Sequence, residues 1–233
     1  SIRRQRQMCI RDSYYTGKEI TIPLDETKSA VDNAKKYFDK YAKLKRTFEA
    51  LNIQIAETKE EIEHLESISN SLDIARQDSD LTAIKRELSD CGYIKKHHEK
   101  NKGSKNTGKS KPLHYISSDG FDMFVGKNNY QNDELTFKIA TGNDWWFHAK
   151  ASAGSHVIVK AEGKELPDRT FEEAARLAAH YSKACEQGKA EIDYIQKKHI
   201  KKPNGSKPGF VVYYTNYSMT ISTDITGIQE VTE

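Results

Sequence analysis

Between residues 29 and 72 the hydrophobic positions recur in steps of three and four: Ala34, Tyr37, Tyr41, Leu44, Phe48, Leu51, Ile55, Ile62, Leu65 and Leu72, with Thr58 and Ser69 in the two open places. A 3.5-residue period held over about five heptads predicts a coiled-coil seam on a helix of roughly 60 Å. Lysines crowd its first half (Lys35, Lys36, Lys40, Lys43, Lys45) and glutamates its second (Glu57, Glu60, Glu61, Glu63, Glu66). A helix with such an apolar stripe requires a partner. The stretch "DSDLTAIKRELSDCGY" offers one, with an N-cap at Asp78 or Ser79, apolar Leu81, Ile84, Leu88 and Cys91, and Gly92 as a stop. It is too short to cover the seam. Either a preceding portion of a longer chain supplies the rest, or the chain dimerises through it.

From Leu113 the period changes. "HYISS" and "FDMFVG" flank Asp119-Gly120 and predict a hairpin. "QNDELTFKIA" predicts a short helix, "DWWFHAK" and "SHVIVKAE" two strands, and "DRTFEEAARLAAHYSKACEQG" an amphipathic helix ending at Gly188. "AEIDYIQ", "GFVVYYT" and "SMTISTD" predict further strands. The expected fold class is α+β: a long coiled-coil helical segment followed by a compact mixed α+β domain. The predicted organisation is residues 14–94 helical, 95–112 a linker and 113–233 the α+β domain.

Residues 1–13, "SIRRQRQMCIRDS", fit neither period. One reading is a basic tail. The other is a non-native segment, because the codons for Gln-Met-Cys-Ile-Arg-Asp-Ser can spell a transposon-end sequencing adapter; the segment is then set aside from fold reasoning. Without it the net charge falls from +3 to zero. That zero hides a pattern. Residues 14–94 have 12 basic and 16 acidic side chains and residues 113–233 have 14 and 16, whereas residues 95–112 carry seven lysines and one glutamate. The middle stretch reads as a flexible basic linker, whether a solvated hinge or a phosphate-attracting segment. Only Cys91 and Cys185 remain, far apart, which suits a reducing, cytoplasmic setting. Apolar runs do not exceed five residues, so no membrane span is expected.

Three stretches could carry chemistry. "GKNNYQND" places Lys127, Asn128, Asn129, Gln131, Asn132 and Asp133 at a strand-to-helix junction, suited to phosphate or base edges, or equally to an Asn-rich turn. In "DWWFHAKASAGSHV", alternation puts Trp145, Phe147 and Ala149 on one face and Trp146, His148 and Lys150 on the other. The second face could be a stacking platform, with Asp144 and His156 beside it, or both tryptophans could be core. "QKKHIKKPNGSKPG" holds Lys197, Lys198, Lys201, Lys202 and Lys207 without an acid, a patch for nucleic-acid phosphates or a solvated tip. No metal-ligand spacing, phosphate loop or nucleophile elbow occurs, so neither catalysis nor a metal or cofactor is expected.

Four segments in order, "YYTGKEITIPLDETKSAVDNAKKYFDKYAKLKR", "DGFDMFVGKNNYQNDELTFKIA", "DWWFHAKASAGSHVIV" and "KKHIKKPNGSKPGFVVYYTNYSMTIS", resemble the C-terminal half of bacterial RqcH proteins, the NFACT family once labelled fibronectin- or fibrinogen-binding. The resemblance implies a middle coiled coil followed by an RNA-binding domain. It further implies a non-enzymatic, cytoplasmic part of a ribosome quality-control factor. Such a factor binds the obstructed large ribosomal subunit and tRNA so that stalled chains receive alanine tails. The family's N-terminal domain and helix-hairpin-helix region are missing from the resemblance. Lys127, Asn128, Asn129, Gln131, Asn132, Asp133, Asp144, Trp146, His148 and His156 are the residues it carries over. Lys197, Lys198, Lys201 and Lys202 are assigned to phosphate by charge. The competing class is a surface adhesin.

Overall fold

The computed structural model describes residues 8–95 and 110–232, in two compact units that divide between Glu60 and Glu61. In the first, β1 (Met8–Asp12) pairs antiparallel with β2 (Glu19–Pro23), so part of the segment set aside above lies in a hairpin; residues 1–7 fall outside the described residues. Helix α1 (Ala30–Ile74) begins where the Ser29 hydroxyl accepts from the Asp32 amide at 3.1 Å and donates to its carboxylate at 2.6 Å. Buried Asn33 bonds both the amide and the carbonyl of Asp25 (2.8 and 2.9 Å), fixing how the chain enters the helix. The long helix forms as the spacing dictates. Tyr41, Leu44, Phe48, Leu51 and Ile55 all stand exposed along it.

The second unit contains the last turns of α1, α2 (Asp78–Asp90) and a seven-stranded sheet. Its strands are β3 (Leu113–Ile116), β4 (Asp122–Val125), β5 (Trp145–Ala149), β6 (Val157–Val159), β7 (Lys189–Gln196), β8 (Tyr217–Ser222) and β9 (Gln229–Glu230). Their order is β8-β7-β5-β6-β4-β3-β9, and every pairing is antiparallel. The β3–β4 hairpin turns through Gly120, whose φ of +83° suits only a residue without a Cβ. Of the linker, residues 96–109 lie outside the described residues.

Both faces of this sheet are covered. On one, α4 (Asp168–His180) lays Ala174, Ala175, Leu177 and Ala178 against Met123, Val125, Phe147, Val157, Val159 and Ile192. On the other, α3 (Asn129–Glu134) runs into a wide turn at Leu135–Ile139, and Leu135 packs with Trp146, Ile158 and Ile195. Strands β4 to β7 therefore send alternate residues into two different cores. The expected stacking platform is corrected here: Trp146 is 0% exposed, within the second core, because β5 is a central strand with no open face.

Three other expectations change. Helix α4 stops at His180, eight residues before Gly188, because Tyr181 leaves helical geometry and the chain turns to bridge Gly154 through Ser182; Lys183–Gln187 form only a short tight turn. "GFVVYYT" is not a strand, and only the Lys201–Val212 bridge forms there. Val211 and Tyr213 pack on the second core without a ladder, and β8 takes the place beside β7. Within residues 61–74, the face against the sheet domain is His64, Ile68, Ser71 and Ile74, whereas Ile62, Leu65 and Leu72 of the seam stay exposed.

Because Trp146 fills the second core, Trp146→Ala is expected to lower unfolding free energy by about 3–5 kcal/mol in chemical denaturation, the signature of a core side chain and not of a surface stacking platform.

Candidate nucleic-acid interface

The Asn-rich junction forms as a capped helix start: Asn128 accepts from the Gln131 amide at 3.0 Å, while the Gln131 side-chain carbonyl accepts from the Lys127 amide at 2.9 Å. Its side chains then turn inward. Lys127 pairs with buried Asp80 at 2.7 Å, and Gln131 donates to Ser110 at 2.7 Å, which in turn donates to Asp80. Burial pushes the Asp80 carboxyl up, but Lys127, Ser110 and the Arg76 amide outweigh it and hold the group below its ordinary range. Asn129 gives its two N–H groups to Ser67 and to Glu87, each at 2.7 Å. Asn132 accepts from the His156 amide at 3.0 Å.

Glu87 is 0% exposed and is also 3.1 Å from His64 Nε2. His64 Nδ1 lies 3.1 Å from the Tyr93 hydroxyl, which accepts from Lys207 at 2.9 Å; the Lys207 ammonium also sits 5.4 Å over the Tyr93 ring. These contacts tie the end of α1, α2 and the 197–209 loop to the strand-to-helix junction. Lys127, Asn128, Asn129, Gln131 and Asn132 are all buried: Lys127, Asn129 and Gln131 bond into this network, Asn132 bonds the His156 amide, and the Asn128 Nδ2 has no partner among the described residues. Gly209, with φ +80°, is part of the same fit: a Cβ there would lie 2.5 Å from Asn129 Oδ1.

In the second motif, Asp144 accepts from the Thr141 and Ala161 amides at 2.7 and 2.9 Å and pairs with Lys160. Burial opposes its charge, yet Lys160 and those amides keep its carboxyl below the usual range. His148 lies between rings, 5.5 Å from both Trp146 and His156. Burial pushes His148 down to about 4 and His156 well below its ordinary value. His156 Nδ1 meets the Thr136 hydroxyl at 2.8 Å. Lys150 stands apart at the surface, paired with Glu191 at 2.6 Å. Among the described residues no group of acids, histidines and cysteines could hold a metal.

The third motif is the one that faces outward. Lys198, Lys201 and Lys202 are exposed; Lys197 is half-buried, its ammonium 5.9 Å over the Phe137 ring. Asp133 closes the loop's base by accepting from the Gly209 amide at 3.1 Å and pairing with Lys202. The sequence reading missed Asp80, Glu87 and His64, since nothing in a helix heptad marks an acid or histidine whose partners lie far along the chain. Trp145 packs half-buried against the first core.

Known proteins resemble this chain in sequence and in fold. A family model described as the NFACT N-terminal and middle domains matches residues 1–107, and one for the NFACT protein RNA binding domain matches residues 111–214. The chain is 43% identical over 203 residues to the Rqc2 homolog RqcH of Streptococcus suis, covering 87% of this chain and 36% of that protein. It is 37% identical over 207 residues to the Bacillus subtilis Rqc2 homolog RqcH, covering 88% and 35%. It thus spans about a third of the length of these relatives. A solved structure, the C-terminal part of the fibronectin/fibrinogen-binding protein from Streptococcus suis, superposes with a TM-score of 0.75 at 37% identity, over 87% of this chain and 80% of that one.

Asn129→Ala removes a donor from a buried carboxylate and is expected to destabilise the second unit by about 1–3 kcal/mol in urea titration. His148 and His156 are both neutral when folded but protonate near 6.5 once unfolded, so the unfolded state binds more protons below that pH. Stability is therefore full above about 6.5 and falls as pH is lowered toward about 4. Denaturation midpoints across that window check the slope, which a His148→Gln variant should reduce.

Proposed function

The chain belongs to the NFACT family, and on that premise we propose that it is the helical and RNA-binding part of a ribosome quality-control factor. In this role it contacts an obstructed large ribosomal subunit and tRNA, supporting alanine tailing of stalled chains. The observation that carries the reading is the outward-facing lysine loop on the RNA-binding domain. Lys198, Lys201 and Lys202 project from a loop whose sequence contains no acid. A patch of this kind draws phosphates and releases their counterions, giving affinity without a reactive group.

The Asn-rich and Trp-His motifs support this role from inside. With most of their side chains turned into the network and the cores, they hold the lysine loop in place; of the residues carried over, Asp133 and His148 are part-exposed, and Asp133 lies at the base of the lysine loop. The exposed seam of α1 is a second contact surface, suited to the coiled-coil pairing its heptads specify. No described helix is long and apolar enough to cross a membrane. The domain assignment proposed is residues 14–94 a coiled-coil helical region that opens on strand β2, 95–112 linker and 113–233 RNA-binding, with residues 61–94 in the same compact unit as the latter.

Co-sedimentation of the chain with purified large ribosomal subunits, with and without peptidyl-tRNA and across a salt series, tests the reading. Salt-sensitive pelleting with obstructed subunits is expected. Retention on immobilised fibronectin without pelleting would replace it with the adhesin. Changing Lys197, Lys198, Lys201 and Lys202 together to Gln should weaken RNA binding and lower the log–log salt slope by about 0.7–0.9 for each phosphate that the loop no longer neutralises; an unchanged slope removes these lysines from the interface.

A further inference from the structure

Beside the lysine loop, on the α4 side of the sheet, the second unit has an open pocket of about 440 Å³. Its walls include Asn143, Trp145, Lys164, Glu165, Asp168 and Gln196. Trp145 is held by its neighbours, edge-on to Phe171 at 4.7 Å and 80°, and 6.0 Å from Tyr194. Gln196 is its partner across the β5–β7 ladder, and Asn143 precedes it by two residues. The side-chain amides of Asn143 and Gln196 and the carboxylates of Glu165 and Asp168 make no hydrogen bonds within the described residues. The lysine loop starts at the rim, where the Lys198 amide donates to the Gly142 carbonyl at 3.1 Å.

We propose that this pocket takes one unstacked, amino-bearing base of an RNA strand whose phosphates run along Lys164 and Lys198. The proposal rests on the RNA-binding reading above and adds a base preference to it. Three features select this ligand. An anchored, half-buried indole is a surface on which a splayed base can stack. The two carboxylates accept hydrogen bonds, which suits the exocyclic N–H groups of cytosine, adenine or guanine, whereas uracil would present an oxygen to them in that place; the two amides can donate or accept and add hydrogen bonds to either. An aromatic wall with acids could also seat an arginine from a basic protein, but Lys198 and the adjoining Lys197 and Lys201, none of them ion-paired among the described residues, repel a polycation and attract phosphates, whereas Lys164 pairs with Glu162 and Lys202 with Asp133.

The two tryptophans make the pocket directly readable. Trp146 is sealed in the core, so ligand-induced quenching of intrinsic fluorescence reports on Trp145. The full chain would be titrated with cytidine and uridine oligoribonucleotides of equal length and with an arginine-rich peptide. Oligocytidine is expected to quench and to bind at least about fivefold tighter than oligouridine. Asn143→Ala should weaken oligocytidine severalfold without changing the salt slope, and a Glu165→Gln, Asp168→Asn double variant should lose the preference for cytidine. All three positions are exposed, so these variants leave both cores intact. Equal affinity for the two oligonucleotides, or salt-dependent RNA binding indifferent to these substitutions, overturns the pocket assignment and leaves the wider reading standing. Quenching by the peptide in place of RNA also overturns it. Absence of binding to both RNA and ribosomal subunits overturns the pocket and the function together.

Discussion

A carboxylate with no access to water has to be hydrogen-bonded or it opposes folding by several kcal/mol, and Glu87 is in that position. His64 from α1 and Asn129 from the strand-to-helix junction both bond its Oε1, while its Oε2 has no partner among the described residues. Each partner is fixed in turn, His64 by Tyr93 and Asn129 by Ser67, and Lys207 completes the chain on Tyr93. With the parallel Lys127–Asp80–Ser110–Gln131 set, this network specifies how the helical turns meet the sheet. Apolar packing alone, being non-directional, would permit sliding; paired polar groups select one register.

The sheet imposes the second constraint. With α4 on one face and the α3 segment on the other, the central strands have no solvent-facing side, so groups able to meet a ligand must come from loops or from the sheet's ends. The 197–209 loop is the clearest case. Lys198 and Lys201 stand exposed on it, and its base is secured by Asp133, which pairs with Lys202, and by Gly209, where any side chain would strike Asn129. The asparagines of the strand-to-helix junction and the buried histidines are turned inward, and through Asn129 and Asp133 the junction fixes the position of this loop.

Much of the architecture was legible in the sequence. The heptads of residues 29–72 specify a long helix because a 3.5-residue period has no other regular solution, and Asp119-Gly120 marks a hairpin because only such residues tolerate the turn. The amphipathic α4 and most strands follow from the same periodicities. Motif identity was legible as well: the segments resembling the NFACT family belong to it. Beyond periodicity the reading stopped. "GFVVYYT" alternates like a strand, yet its alternation serves burial of Val211 and Tyr213 without a ladder.

The site shows the limit most clearly. The sequence by itself determined which side chains are present and where charge accumulates, so the lysine loop could be identified, since uncompensated charge is a property of composition. Only the tertiary structure decided direction. Alternation distinguishes the two faces of a strand but not whether either is open, and in a sheet covered on both sides Trp146 is sealed while Trp145, near the strand's end, borders a pocket. The same holds for the asparagines. Their donors and acceptors suit RNA as well as protein, and it is the placement of Glu87, 42 residues away in sequence, that turns Asn129 inward.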